Sequence, residues 1–462
     1  MKELMRAKEL VKTDPDQALN ICNNVLDKHF DEPEGQLALF MIGYIMQECE
    51  RFGLAYQIYQ RCKELNPQQS EIYSNMGMCL EEYSQKKALK MFRIAQAKAP
   101  KNAKAMANEA LMHLQMSDPE RCIELCNKSL YIDSKGVAAK HNKALALLMM
   151  RKWREGWRLY YETFGVKHRE RRDYGVPDWD GKSPGTVLVY GEQGVGDEIM
   201  FASCLSDIDN PVIFDCDARL LSLFSRSFDF PVYGTRFSER SPLVDECKYD
   251  WQISIGQLPH FYRNNEKSFP GHAFLKPDLE RSLMFGALFD TYPGRKIGIA
   301  WRGGCPNTGE KRRSLELSDF DSLFGEDTFI SLEYRDVDPA LADKYGLKCF
   351  KETAKGESID GLASIICNLD LVITCCTTVV YVAGALGIPC ICLVPDKPSY
   401  RYHIEGSFPW FSSVELIRQE GTWRNTIDKN LHRLRYKGEG GIPCLQSQHS
   451  AKGECSSIYN TH

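Results

Sequence analysis

The sequence predicts a chain in two parts: a superhelix of helical hairpins, then two α/β domains with parallel sheets. Three observations carry this. Small and aromatic residues recur with a period of 33–34 through the first third of the chain. An apolar run at Val187–Tyr190 feeds a glycine loop that opens straight into a helical pattern. A second strand, Lys296-Ile297-Gly298-Ile299-Ala300-Trp301, ends in Arg302-Gly303-Gly304 and begins the same alternation again.

The repeats come first. Pro67, Pro100 and Ser134 end successive units. Upstream, Ala55, Tyr59 and Cys62 correspond to Ala88, Phe92 and Ala95, and again to Cys122, Cys126 and Ser129. Gly43 and Ala110 mark close packing points in the first helix of their units. A 34-residue period with small residues at helix crossings is the tetratricopeptide signature. Leu4–Asp27 reads as a degenerate first unit around Ala18, and Val137–Tyr161 as a last one with Ala144, Gly156 and Tyr160. About five hairpins follow from the period rule.

A linker is expected next. Lys167-His168-Arg169-Glu170-Arg171-Arg172-Asp173 reads as a solvated charge run, and Pro177-Asp178-Trp179-Asp180-Gly181 as a turn. The expected division is 1–165 for the repeats, 166–185 for the linker, 186–293 and 294–435 for two Rossmann-like domains, and 436–462 for a disordered tail.

Strands are expected at Thr186–Tyr190, Val212–Phe214 and Phe329–Leu332, with helices starting at Glu198 and Ala218 and another over Thr422–Leu434. Leu371–Val394 has no charged residue, a length that could span a bilayer. Gly384, Gly387 and Pro389 interrupt it, so two buried strands around a short helix are expected instead.

Composition narrows the class. The chain has 462 residues, 43% of them apolar, and a net charge of −4, which gives no electrostatic reason to expect nucleic acid. The charged start, Met1-Lys2-Glu3, carries no apolar signal core, so a cytoplasmic protein with no membrane span is expected. Its 18 cysteines include no CxxC pair, which argues against a zinc site. Cys22, Cys49, Cys62, Cys79, Cys122 and Cys126 are expected to face the helical core.

The chemistry concentrates in three loops. Asp197 and Glu198 stand where the first glycine loop becomes helix; acids there suit a base that takes a proton from a hydroxyl. Thr377 and Thr378 precede an apolar helix whose free N–H groups and positive dipole end suit a diphosphate, or simply make an efficient cap. Arg302-Gly303-Gly304 with Lys311-Arg312-Arg313 could neutralise phosphate, or be a solvated loop. Asp207-Ile208-Asp209 reads as a helix end rather than a metal motif.

Gly191-Glu192-Gln193-Gly194-Val195-Gly196-Asp197-Glu198-Ile199-Met200-Phe201-Ala202-Ser203 resembles bacterial proteins that join tetratricopeptide repeats to a glycosyltransferase family 9-like, heptosyltransferase-like GT-B module. Trp153–Trp157, Pro177–Gly181, Ile297–Gly304, Arg313-Ser314-Leu315, Ala383–Gly387 and Ser407–Phe411 carry the same resemblance, which covers all but the tail. It implies a GT-B arrangement with the acceptor on the first domain and a nucleotide-sugar donor, as co-substrate and without further cofactor or metal, on the second. It makes Asp197 the catalytic base and assigns donor or substrate contacts to Gly194, Gly196, Glu198, Arg302, Gly303, Arg313, Thr377, Thr378 and Tyr381. The implied function is inverting, metal-independent sugar transfer, hexosyl or heptosyl, with the repeats holding a protein or peptide acceptor or partner. The chain departs from the pattern at two places: Cys376 stands where the family has Asp, and Tyr381 where it has His. Both favour the alternative, a non-catalytic tetratricopeptide scaffold that keeps a GT-B-like shell.

Overall fold

The computed structural model describes residues 1–436 apart from 82, 167, 168, 170, 237–246, 305–308 and 354–358. Of the expected tail, 436–462, Tyr436 ends the helix Leu431–Tyr436 and 437–462 lie outside the described residues. Contacts divide the chain into two units, Met1–Thr163 and Phe164–His462.

The first unit is a stack of antiparallel helical hairpins: Lys2–Leu10 with Pro15–Lys28, Pro33–Glu48 with Phe52–Leu65, Ser70–Leu80 with Gln85–Lys98, Ala103–Gln115 with Pro119–Ile132, and Val137–Met149 with Trp153–Glu162. Each helix packs on its sequence neighbours, and from the second hairpin on the first helices of successive hairpins also touch. This nearest-neighbour pattern is that of a tetratricopeptide-like superhelix. Several helix starts are locally encoded. Asp14, Asn102 and Asp118 each accept a backbone N–H three residues on, and Pro15, Pro33 and Pro119 occupy first-turn positions where no donor is needed.

The period has a steric cause. A Cβ on Gly43 would lie 2.8 Å from the Tyr59 ring, and one on Gly77 would lie 2.6 Å from the Phe92 ring. Each of these hairpins therefore seats a large ring of its second helix against a bare backbone in its first. The rings are buried at 0% and 1% exposure. Ala110 and Ala144 hold the equivalent place in the hairpins that carry Cys126 and Tyr160, and all four are buried. Of the six cysteines expected in this core, Cys49 is exposed. It is the C-cap residue of Pro33–Glu48, beyond the helix's apolar stripe.

The second unit holds two parallel sheets. In the first, β1 (Val187–Tyr190), β2 (Val212–Asp215), β3 (Val232–Tyr233) and β4 (Trp251–Ser254) lie in the order β3-β2-β1-β4. In the second, β5 (Lys296–Ala300), β6 (Thr328–Ser331), β7 (Leu371–Cys375), β8 (Cys390–Val394) and β9 (Val414–Arg418) lie in the order β6-β5-β7-β8-β9. β1, β2, β7 and β8 are buried along their whole length, as strands covered on both faces must be. The uncharged window Leu371–Val394 is thus strand, helix Thr378–Leu386, strand, and among the described residues no helix is long and apolar enough to cross a membrane.

Strand order fixes where ligands can enter. β1 lies between β2 and β4, and β5 between β6 and β7. In parallel sheets the connections diverge at such switch points, and ligands commonly bind beyond the carboxyl ends of the strands there. The Gly191–Gly194 loop follows β1, and Arg302-Gly303-Gly304 follows β5.

Two linker expectations are corrected. The charge run is not simply solvated. Arg169 is 3% exposed and approaches Glu192 at 3.7 Å, while Arg172 Nη1 donates to buried Asp215 at 3.3 Å. Lys167, His168 and Glu170 lie outside the described residues. The Pro177–Gly181 segment is not a free turn. Asp178 bridges to Gln252 in parallel, Trp179 N donates to Gln252 O at 2.8 Å, and the buried indole lies against Phe261. Trp179 supplies enough apolar area to hold this segment on the edge of the first sheet.

Candidate functional site

The glycine loop becomes helix earlier than the sequence pattern suggests. The helix runs Val195–Ala202 with Gly194 as N-cap, so Gly196, Asp197 and Glu198 sit in its first turns. Asp197 and Glu198 are neighbours on a helix and diverge by roughly 100°. They meet opposite environments.

Glu198 points inward. It is 0% exposed, accepts from Asp217 N at 2.9 Å, and is ion-paired with Arg236. A Cβ on Gly191 would lie 2.1 Å from its carboxylate, so this glycine makes room for Glu198 rather than for a ligand. Burial pushes the Glu198 carboxyl up to about 8, against the opposing pull of Arg236. The expected donor contact of Glu198 is therefore replaced by a structural one. Glu192 behaves similarly: it is buried, burial raises its carboxyl, and it accepts from Gly256 N at 3.3 Å.

Asp197 points toward the second sheet. Its Oδ1 lies 2.5 Å from Nε of Arg401, with the two side chains 17% and 23% exposed. Arg401 sits in the helical turn Tyr400–Tyr402, after the carboxyl end of β8, with its guanidinium over the Tyr400 ring at 4.7 Å. Gly194 keeps a bare backbone beside the same carboxylate; a Cβ there would be 3.6 Å from Asp197 Oδ2.

Gly196 brings two helix starts together. A Cβ on it would lie 2.8 Å from the Tyr381 ring and 3.4 Å from Thr378 Oγ1. The first turn of Val195–Ala202 therefore lies against the first turn of Thr378–Leu386. Tyr381 is buried, and burial raises its phenol well above the usual range, with Arg401 lowering and Asp197 raising it in turn. Its hydroxyl remains a neutral group near both charges.

Thr377 is the N-cap residue of its helix but makes no side-chain capping bond; its Oγ1 lies 3.3 Å from Thr374 Oγ1. The N-terminal turn is thus not closed by its own threonine. Arg313 Nη1 donates to Cys376 O at 2.6 Å, which places the guanidinium beside this loop. Cys376 is buried, with Sγ 3.8 Å from Cys392 Sγ.

Arg302 is committed elsewhere. Its Nε lies 2.8 Å from Glu333 Oε2, and its Nη2 donates to Arg335 O at 2.9 Å and Asp336 O at 3.2 Å. Buried Glu333 also accepts from Trp301 N and Arg302 N. Gly303 N donates to Ser314 Oγ at 2.9 Å. These bonds hold Arg302 and Gly303 in the shape of the loop after β5. Among the described residues no cluster of three or more His, Cys, Asp or Glu could hold a metal ion.

The structure therefore brings Gly194, Gly196, Asp197, Thr378 and Tyr381 together, and Arg313 and Thr377 meet at the same loop. It sends Glu198 and Arg302 into separate buried networks. Arg401 is the residue that sequence reading missed. The available signal was a basic residue between two tyrosines shortly after the carboxyl end of a buried strand, where parallel sheets build their sites.

No family model matches the chain. Over 424 residues it is 24% identical to Protein FlbA of Caulobacter vibrioides, a stretch that is 84% of this chain and 71% of that protein. Among solved structures it is similar to a tetratricopeptide repeat protein from Parabacteroides merdae (18% identity, TM-score 0.30) over 35% of this chain and 64% of the other, just under two thirds of its length. It is similar to a thermophilic TPR protein of Thermus thermophilus (15%, TM-score 0.32) over 35% of this chain and 88% of the other. The PilF protein of Pseudomonas aeruginosa (18%, TM-score 0.32) is matched over 37% of this chain and 78% of its own.

Proposed function

We propose that the second unit is a GT-B-type glycosyltransferase module, inverting and metal-independent, with residues 186–293 as the acceptor side and 294–435 as the nucleotide-sugar side. Asp197 is the base that takes the acceptor's hydroxyl proton while that oxygen attacks the sugar carbon and the nucleoside diphosphate leaves. The Thr377–Thr378 helix start and Arg313 stabilise the charge that develops on the diphosphate. The hairpins present a protein or peptide acceptor or partner.

The observation that carries this reading is the meeting of two helix N-termini across the two sheets, with Gly196 against Thr378 and Tyr381. Both helices begin at the carboxyl ends of parallel strands, where a diphosphate and an attacking hydroxyl could share one crevice. The resemblance of Gly191–Ser203 to heptosyltransferase-like proteins supports the same assignment.

The test is nucleotide-sugar turnover. A panel of UDP-, GDP-, ADP- and dTDP-sugars is incubated with the full chain, and release of the nucleoside diphosphate is followed. Slow hydrolysis of one donor, lost in Asp197→Asn with the fold intact, supports the reading. No binding and no turnover at millimolar donor overturns it.

A second reading has its own observation. Asp197 is held by Arg401, and the resemblance puts Cys376 where the family has a carboxylate. In that reading the module is a non-catalytic scaffold. It expects nucleoside diphosphates to bind, if at all, without turnover.

A further inference from the structure

Arg401 and Asp197 come from the two different sheets of the second unit: Asp197 from the helix after β1, Arg401 from the turn after β8. Their contact is a close charge-assisted hydrogen bond at 2.5 Å, with both side chains largely shielded from solvent. A carboxylate oxygen that already accepts from a guanidinium N–H is not offered to an acceptor hydroxyl. A guanidinium is also the side chain whose planar fork best matches phosphate oxygens. It lies in the neighbourhood of Tyr381, whose phenol responds to both Arg401 and Asp197 and whose ring touches Gly196. The two helix starts thus meet one residue from Asp197, the acid that anchors Arg401.

We infer that Arg401 is a ligand-operated switch on Asp197. Without a donor bound, its guanidinium neutralises the carboxylate and pins the two sheets together. An entering diphosphate competes for that guanidinium, draws it away from Asp197, and leaves the carboxylate able to accept a proton. Base activity is thereby coupled to donor occupancy, which suppresses proton abstraction from an acceptor when no donor is present. This inference rests on the reading of the site as a nucleotide-sugar cleft and names its regulation.

Competition for one guanidinium has a thermodynamic signature that needs no acceptor. Binding of UDP, GDP, ADP and CDP is measured by calorimetry for the wild-type chain, Arg401→Gln, Asp197→Asn and the double variant, with thermal unfolding as the fold check. Arg401→Gln is expected to weaken the diphosphate that binds by about tenfold, the range of a lost charge-assisted contact. Asp197→Asn is expected to tighten it by about threefold or more, because Arg401 no longer has to leave an acid. In the Arg401→Gln background, Asp197→Asn should change little. If Asp197→Asn tightens binding equally in both backgrounds, the acid acts only by general repulsion and the switch is overturned. Affinity unmoved by Arg401→Gln also overturns it, while the cleft reading survives because the wild type still binds. Binding by neither the wild type nor Asp197→Asn overturns the cleft reading and the switch together. Binding by Asp197→Asn alone supports the switch in its strongest form.

Discussion

Arg401 Nε donates to Asp197 Oδ1 at 2.5 Å, joining residues more than two hundred positions apart across the two sheets of the second unit. Pairs this shielded from water couple more strongly than surface ion pairs, whose usual worth is about 0.5 kcal/mol. A double-mutant cycle of Asp197→Asn and Arg401→Gln in urea is expected to return a coupling of about 1–2 kcal/mol. A coupling indistinguishable from zero would mean that the pair does not hold the two sheets together.

Gly196→Ala should loosen the same junction from the other side. Its Cβ would stand 2.8 Å from the Tyr381 ring, which is itself packed near Tyr402 and Phe408 and has little room to move. Overpacking of this kind costs about 1–3 kcal/mol. The thermal transition of the second unit should fall by several degrees. Gly196→Ala combined with Tyr381→Leu should recover part of the loss.

Glu198 predicts a pH dependence of stability. Its folded value, pushed up to about 8 by burial, lies above the unfolded carboxyl value of about 4.3. The folded state therefore binds this proton more tightly than the unfolded state does. Its contribution is fully present below about pH 4.3 and is lost as pH rises toward 8. Glu198→Gln, which keeps the neutral shape, should flatten the fall in unfolding free energy between about pH 5 and 8. Parallel pH profiles for the two proteins would show that Glu198 does not titrate in this window.

In the repeat array, Phe92→Ala should cost about 3–5 kcal/mol, because the buried ring fills the space above Gly77. Gly77→Ala should also destabilise, through its 2.6 Å approach to that ring. The paired change Gly77→Ala with Phe92→Leu should be milder than the sum. Additive losses in chemical denaturation would contradict the ring-on-glycine account of the period.

Much of the architecture is legible in local pattern. The 33–34 spacing of Tyr59, Phe92 and Cys126 arises because each hairpin must seat its second helix on its first. The strand–glycine–helix grammar around Tyr190 and Asp197 is visible for the same reason: periodicity reports which face of a segment is buried. Gly77 stands one period after Gly43 and carries the same signal. β3 and β4 escape such reading, since a two-residue strand and the mixed Trp251–Ser254 run carry little periodic signal.

Charges behave differently. Asp197 and Glu198 are adjacent acids at one helix start, and nothing in their identity separates them. A turn of roughly 100° sends one into a buried network with Arg236 and the other to Arg401. Arg302 and Arg313 both follow the β5 strand, yet Glu333 takes the first while the second reaches Cys376 O. Sequence by itself determined the repeat hairpins and the long buried strands with their order, because burial periodicity is a property of a short segment. Tertiary structure alone decided which partner each ionisable group meets, because a charge is neutralised by whatever distant parts of the chain bring within a few ångströms.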